Sequence, residues 1–296
     1  MSHLLESYTR VDERMLCPKC GRPDFCLVRN DGKTCICARV ESGKPYGQAG
    51  WLHYLPADEV QAVKRPTAEK EYLTPRAVQA FLDSIRTDRN EAMIERQAGQ
   101  LGLYALDLNL MQCHYDSDKA ALVFPMFDAA HQPIGARFRR ADGRKWSLRG
   151  GREGIFRPLI LFRSIPLFIA EGPTDAAALC HVGLDNTIGR PSCMSGGPII
   201  QELLVPDKIQ PVIIVADPDD PGVNGATRLA NQLPNPVVVV TGPTDVREFV
   251  VEFGLPSVCR RAIIESLENE SDDQTEWRAI YHNESGKFFP FKRKFK

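Results

Sequence analysis

The sequence has no apolar run near the roughly 18–20 residues that a helix needs to cross a bilayer. Its longest runs, PLFIA and PVVVV, are strand-length. The opening MSHLLESYTRVDERM lacks the apolar centre of a secretory signal. A cytoplasmic protein with no membrane partner is expected. Charge of one sign is not in excess either: 37 Lys and Arg face 38 Asp and Glu, a formal net of −1. That excludes a uniformly basic nucleic-acid binder but not charge segregated along the chain. Internal repeats and long low-complexity tracts are absent, and no G-x-x-x-x-G-K-[ST] loop occurs, so no fused helicase motor is expected. What is present is a 296-residue chain, 43% hydrophobic, able to bury a sizeable core.

Nine cysteines is an odd number, which argues against a secreted disulfide framework. Five of them fall between Cys17 and Cys37, and such clustering suits a metal. CPKCG places Cys17 and Cys20 in a C-x-x-C knuckle, with Pro and Gly allowing the tight turn. Cys35 and Cys37 form a second pair, and four thiolates suit structural Zn²⁺. Cys26, between the pairs, is a spare thiol. The intervening RPDFCLVRNDGKT reads as two short strands around an NDG turn, a ribbon hairpin. His3 reads as a surface histidine. Trp51 and Tyr54 flank the ribbon as core residues or as a stacking platform.

Five segments are expected: a zinc ribbon over 1–55, a linker over 56–71, a basic mixed α+β segment over 72–164, a parallel-sheet domain over 165–256, and an acidic stretch with a basic Phe-rich tail over 257–296. TPRAVQAFLDSIR predicts a helix with Thr74 as N-cap and Pro75 at its first position. ALVFPMFDAAHQPIGARFRR predicts two strands joined near Asp128 to Pro133. From Pro166, strands PLFIA, PVIIVA and PVVVV each precede a helical pattern, which implies a parallel sheet buried on both faces.

Local charge is far from neutral. Pro133 to Arg163 carries nine Lys and Arg against two acids, while Glu171 to Asp220 carries eight acids against two bases. Glu171 and Asp175 follow one strand in EGPTD; Asp217 and Asp219 follow another in ADPDDPG; Asp245 follows a third in GPTD. In an open parallel sheet the carboxyl ends of the strands share one crevice. Carboxylates gathered there stay ionised together with divalent cations, and an all-oxygen set suits Mg²⁺ or Mn²⁺. Glu171, Asp217 and Asp219 are the candidate catalytic residues, with Asp175 and Asp245 as further metal ligands or ordinary helix caps. Arg137, Arg139, Arg140 and Lys145 are candidates for phosphate contact.

E-G-x-x-D followed by D-x-D-x-x-G, each after a strand, resembles the Toprim domain. Upstream, Phe124, Pro125, Asp128, Ile134, Gly135, Arg139, Lys145 and Trp146 resemble the core segment of bacterial and phage-type (DnaG-like) primases, with Trp146 where a Tyr is usual. CPKCG…C-x-C resembles the zinc ribbon of phage-type primases, with a second knuckle one residue short. The resemblance implies an α/β protein: a β zinc ribbon, a mixed α+β primase core and a Rossmann-like Toprim domain. It implies short RNA primers made on single-stranded DNA from NTPs by two-metal nucleotidyl transfer, with room for a separate replicative helicase as partner and a phage or mobile-element source. A non-catalytic recombination mediator and a Toprim nuclease are the competing readings. The first would not need the acids, and the second would need neither ribbon nor basic segment.

Overall fold

The fold is described from a computed structural model over residues 8–13, 15–56, 71–86, 91–163, 165–206, 210–268 and 273–282. His3, most of the expected linker and the KFFPFKRKFK tail lie outside the described residues. The chain forms two compact units, Met1–Lys70 and Glu71–Lys296.

The first unit is an antiparallel meander of β1 (Tyr8–Arg10), β2 (Leu27–Arg29), β3 (Thr34–Cys37) and β4 (Trp51–Tyr54), paired in that order. β2 and β3 are the hairpin expected around the NDG turn, where Gly32 takes φ 73°, a left-handed conformation natural to glycine. The buried centre is little more than Val11, Val28 and the side chains of Cys17, Cys26, Cys35 and Cys37. So small a core offsets little chain entropy, and a bound metal ordinarily supplies the difference. Tyr54 is 64% exposed, with the Lys44 ammonium 4.6 Å from its ring centre. Trp51 is half-buried.

The second unit opens with α1 (Pro75–Ile85), capped as its sequence predicts: Thr74 Oγ1 accepts the Ala77 N–H at 3.2 Å. α2 (Glu91–Gln100) and α3 (Ala105–Leu110) follow. An antiparallel sheet comes next, of β5 (His114–Asp116), β6 (Ala121–Phe127), β7 (Pro133–Arg140) and β8 (Lys145–Ser147), in that order. Alternation divides β6 between two cores. Ala121 and Val123 meet Val78 and Leu82 of α1. Leu122, Phe124 and Met126 join the larger core shared with the parallel sheet.

That sheet runs through β9 (Leu167–Ala170), α4 (Pro173–His181), β10 (Thr187–Gly189), α5 (Gly197–Leu204), β11 (Val212–Ala216), α6 (Asp220–Gln232), β12 (Val237–Thr241), α7 (Val246–Phe253), α8 (Pro256–Glu265) and β13 (Arg278–His282). The strand order is β10-β9-β11-β12-β13, all parallel except β13. Phe168, Val215 and Val240 share a core with residues of α4, α7 and α8. Ile169, Ile214 and Val239 share the opposite core with residues of α5 and α6. Burial on both faces is why these strands read as unbroken apolar runs.

Within the segment expected from residue 257 lie α8, whose Cys259 and Ile263 join the larger core, and β13, which completes the sheet. β13 pairs antiparallel with β12, and Trp277 before it covers Gly242 so closely that a Cβ there would come within 2.5 Å of the indole. Its five residues follow a run of acids and prolong no helical pattern, so the charge hid the strand. No helix among the described residues is long and apolar enough to cross a membrane.

Candidate functional site

The strand order creates the site. β9 connects to β10 on one side, while β11 connects to β12 on the other, so the two neighbouring loops diverge and leave a crevice at the carboxyl ends. Glu171 follows β9, and Asp217 and Asp219 follow β11 beside it. Asp175 lies in the first turn of α4, and Asp245 follows β12. Glu171 Oε1 accepts the Asp217 N–H at 3.4 Å, which ties the two loops together. Asp219 Oδ1 caps α6 by accepting the Gly222 N–H at 2.7 Å, and Asp245 Oδ1 caps α7 through the Glu248 N–H at 2.7 Å. Capping and a place in the crevice are thus combined in these two residues. Asp175 is not a cap, since Gly172 fills that position in α4.

The acids repel one another. Burial first, then the charges of Asp175, Glu171, Asp245 and Asp219, push the Asp217 carboxyl up to about 7. Burial also raises Asp175, with Asp245 next, and raises Glu171 against the opposing pull of Arg190. No three of these carboxylates bring ligand oxygens within 4.8 Å of one another; an oxygen-only donor set under such repulsion is nevertheless of the kind that suits a divalent cation such as Mg²⁺ or Mn²⁺. Gly222 keeps the floor of the crevice open: a Cβ there would lie 2.9 Å from both Glu171 Oε1 and Asp219 Oδ1.

Two of these acids, Glu171 and Asp175, share a cavity with a cluster of bases. Arg137, Arg139 and Lys145 line one cavity with Glu171, Asp175, Phe124, Phe156 and Pro191. Arg139 and Lys145 are cross-strand partners on β7 and β8. Burial depresses both, and neighbouring cations add to it, Arg247 for Arg139 and Arg139 for Lys145. Arg137 Nη2 lies 3.6 Å from Glu153 Oε1 and donates to the Pro191 carbonyl at 3.4 Å. Arg140 is not among the residues lining this cavity; strand alternation puts it on the other face of β7.

Two cations of the site escaped the sequence reading. Arg247 sits 3.8 Å from Asp245 Oδ2. Arg190, 1% exposed, places Nη2 3.5 Å from Glu171 Oε1. Arg190 stands directly past β10, as the acids stand past their strands. The same rule would have found it had TIG been recognised as a strand.

In the first unit the ligand atoms of Cys17, Cys20, Cys26 and Cys37 all lie within 4.8 Å of one another, the only such group among the described residues. The quartet expected from the sequence is therefore corrected: Cys26 takes the place of Cys35. The reason is geometric. Residues i and i+2 on a strand are about 6.6 Å apart, whereas two sulfurs on one tetrahedral zinc with ~2.3 Å bonds are about 3.8 Å apart. Cys35 and Cys37 share β3 at that i, i+2 spacing. Phe25 takes φ 64°, turning the chain just before Cys26. Cys26 Sγ lies 3.7 Å from Cys20 Sγ and 3.8 Å from Cys37 Sγ. Backbone N–H groups of Ala38 and Val40 point at the sulfurs of Cys26 and Cys37. Burial raises the thiols of Cys17, Cys26 and Cys35 alike, so it is the sulfur positions that set Cys26 apart from Cys35. The four-thiol set fits zinc.

No family model matches the chain, and no curated protein matches it. Among solved structures it is similar to the DnaG catalytic core, at 15% identity and a TM-score of 0.46 over 60% of this chain and 74% of that one. It is similar to the primase fragment of the bacteriophage T7 primase-helicase protein, at 14% and 0.45 over 80% and 93%. A third is the RNA polymerase domain of Mycobacterium tuberculosis primase DnaG, at 16% and 0.42 over 63% and 80%. These are likenesses to primase catalytic cores; the chemistry rests on the side chains themselves.

Proposed function

We propose that this chain is a DNA primase of Toprim type, which joins ribonucleotides into short primers on single-stranded DNA. One observation carries the reading: Glu171 and Asp175, the acids past β9, share a single cavity with Arg137, Arg139 and Lys145, and Glu171 is tied to Asp217 past β11 through the Asp217 N–H. Primer synthesis joins a 3′-hydroxyl to an α-phosphate and releases pyrophosphate. The attacking hydroxyl must lose a proton, and the phosphates need opposing charge. Bound Mg²⁺ or Mn²⁺ supplies activation of the attacking oxygen and stabilisation of the leaving group. Asp217 and Asp219 hold the ions, and Asp175 and Asp245 add negative charge behind them. Glu171 has Oε1 engaged by the protein, so its second oxygen serves as ligand or proton acceptor. Arg139 and Lys145 bind the triphosphate through charge-assisted hydrogen bonds. The zinc ribbon takes part in choosing the template site.

The test is synthesis by the purified protein on single-stranded DNA of varied sequence, with labelled NTPs and Mg²⁺ or Mn²⁺. Short RNA products that vanish in Asp217→Ala and Asp219→Ala are expected. Cleaved template without synthesis would make the protein a nuclease. Tight DNA binding with neither outcome would make it a mediator.

A further inference from the structure

Arg190 is among the largest fully buried side chains of the protein. A guanidinium removed from water is costly unless its charge and its donors are met. Here the donors are only partly met. Nη1 donates to the Cys193 carbonyl at 3.0 Å and to the Gly225 carbonyl at 3.3 Å, while Nε and Nη2 have no hydrogen-bond partner. What compensates the cation is the field of the acids, from Glu171 at 3.5 Å and from Asp217 beyond it. The side chain is also clamped. The Cys193 and Gly225 backbones that hold it approach so closely that a Cβ on Gly225 would lie 2.2 Å from the Cys193 carbonyl oxygen.

We infer that Arg190 is a built-in counter-cation and positioning residue: it fixes Glu171 by one oxygen and lowers the affinity of the acidic crevice for divalent ions. The inference deepens the proposed function and rests on its assignment of the crevice as a metal site. Oε1 of Glu171 is taken by Arg190 and by the Asp217 N–H, so Oε2 alone is left to meet an ion or a proton. A permanent positive charge beside the acids opposes every further cation. Loosely held ions suit a site that must admit a new metal–nucleotide complex at each addition.

This gives an expectation opposite to that of a structural role. In the zinc-loaded full chain, Mn²⁺ binding is measured without nucleotide by calorimetry and by the electron spin resonance of free Mn²⁺, with Asp217→Ala as the background for other sites. Arg190→Gln should bind Mn²⁺ tighter, by about tenfold or more, because a nearby unit charge is strongly felt in a partly buried site. Its primer synthesis should fall in kcat, since Glu171 is no longer held. Arg190→Lys keeps the charge without the fork, so its Mn²⁺ affinity should stay within about twofold of wild type; synthesis should be partly restored. Unchanged or weaker Mn²⁺ binding in a folded Arg190→Gln would overturn the inference. If that variant does not fold, a large change of affinity in Arg190→Lys would overturn it instead. Tighter Mn²⁺ binding in a protein that makes no primers would sink the primase reading and leave the role of Arg190 standing.

Discussion

The Sγ atoms of Cys26 and Cys37 lie 3.8 Å apart, the edge length of a tetrahedral zinc–thiolate site. Cys35, on the same strand as Cys37, is a buried cysteine of the small ribbon core. The expected outcome is therefore asymmetric. Cys26→Ser should lose its zinc and unfold the first unit, as judged by metal analysis and ribbon proteolysis. Cys35→Ser should keep a full complement of zinc, at a packing cost of about 1–2 kcal/mol. Full zinc in Cys26→Ser, or loss in Cys35→Ser, would return the fourth ligand to Cys35.

Asp217 makes the crevice a source of instability without metal. Its folded carboxyl is pushed up to about 7 by burial and four neighbouring acids, while the unfolded carboxyl gives up its proton near 4. Between about pH 4 and pH 7 the unfolded chain thus binds fewer protons, and linkage makes stability fall as pH rises through that window. Above about pH 7 this loss is complete. Asp217→Asn should raise the stability of the metal-free protein at pH 7.5 by about 1–2 kcal/mol, allowing for its partial exposure, and should abolish synthesis. Adding Mg²⁺ should narrow the gap by stabilising the wild type. Melting curves at several pH values, with and without Mg²⁺, check both; no gain in Asp217→Asn would contradict the crowding.

Much of this was legible because strand and cap signals are local. Thr74–Pro75 marked a helix start, and three apolar runs ending in acids marked the carboxyl edge of a sheet. What stayed hidden depends on contacts distant in sequence or on unusual backbone. Spacing favours Cys35 because C-x-C is compact in sequence, but an extended strand separates its side chains; the left-handed turn at Phe25 has no composition signal. β10, with three residues, is too short to show a period, and Arg190 was lost with it. Arg140 stands next to Arg139 in sequence, but alternation along the strand already sets Arg137 and Arg139 on one face and Phe138 and Arg140 on the other.

That opposition is itself testable. Arg139 and Lys145 line the cavity with Glu171, and Arg140 does not. Arg139→Gln and Lys145→Gln should raise the KM for NTPs by about tenfold or more, the loss of a charge-assisted phosphate contact. Arg140→Gln should change it by less than about twofold. Steady-state kinetics at saturating template separate the three, and an Arg140 effect equal to that of Arg139 would mean that phosphate lies elsewhere.

Gly222 supplies the last expectation. It sits in the first turn of α6, with ordinary backbone angles, so alanine there would by propensity alone stabilise the helix by up to about 1 kcal/mol. Space reverses the sign: the added Cβ would lie 2.7 Å from the Asp217 carbonyl oxygen and 2.9 Å from Glu171 Oε1. The carbonyl is backbone and cannot swing away, so the loop after β11 must shift. Gly222→Ala should therefore cost about 1–3 kcal/mol and lower primer synthesis by about tenfold or more, because the carboxylates are displaced from their working geometry. Gly99, in α2, is the control, since a Cβ there meets nothing within 4 Å. Gly99→Ala should raise the melting temperature slightly and leave synthesis unchanged. If the two substitutions behave alike, the close approach of α6 to Glu171 is not what shapes the crevice.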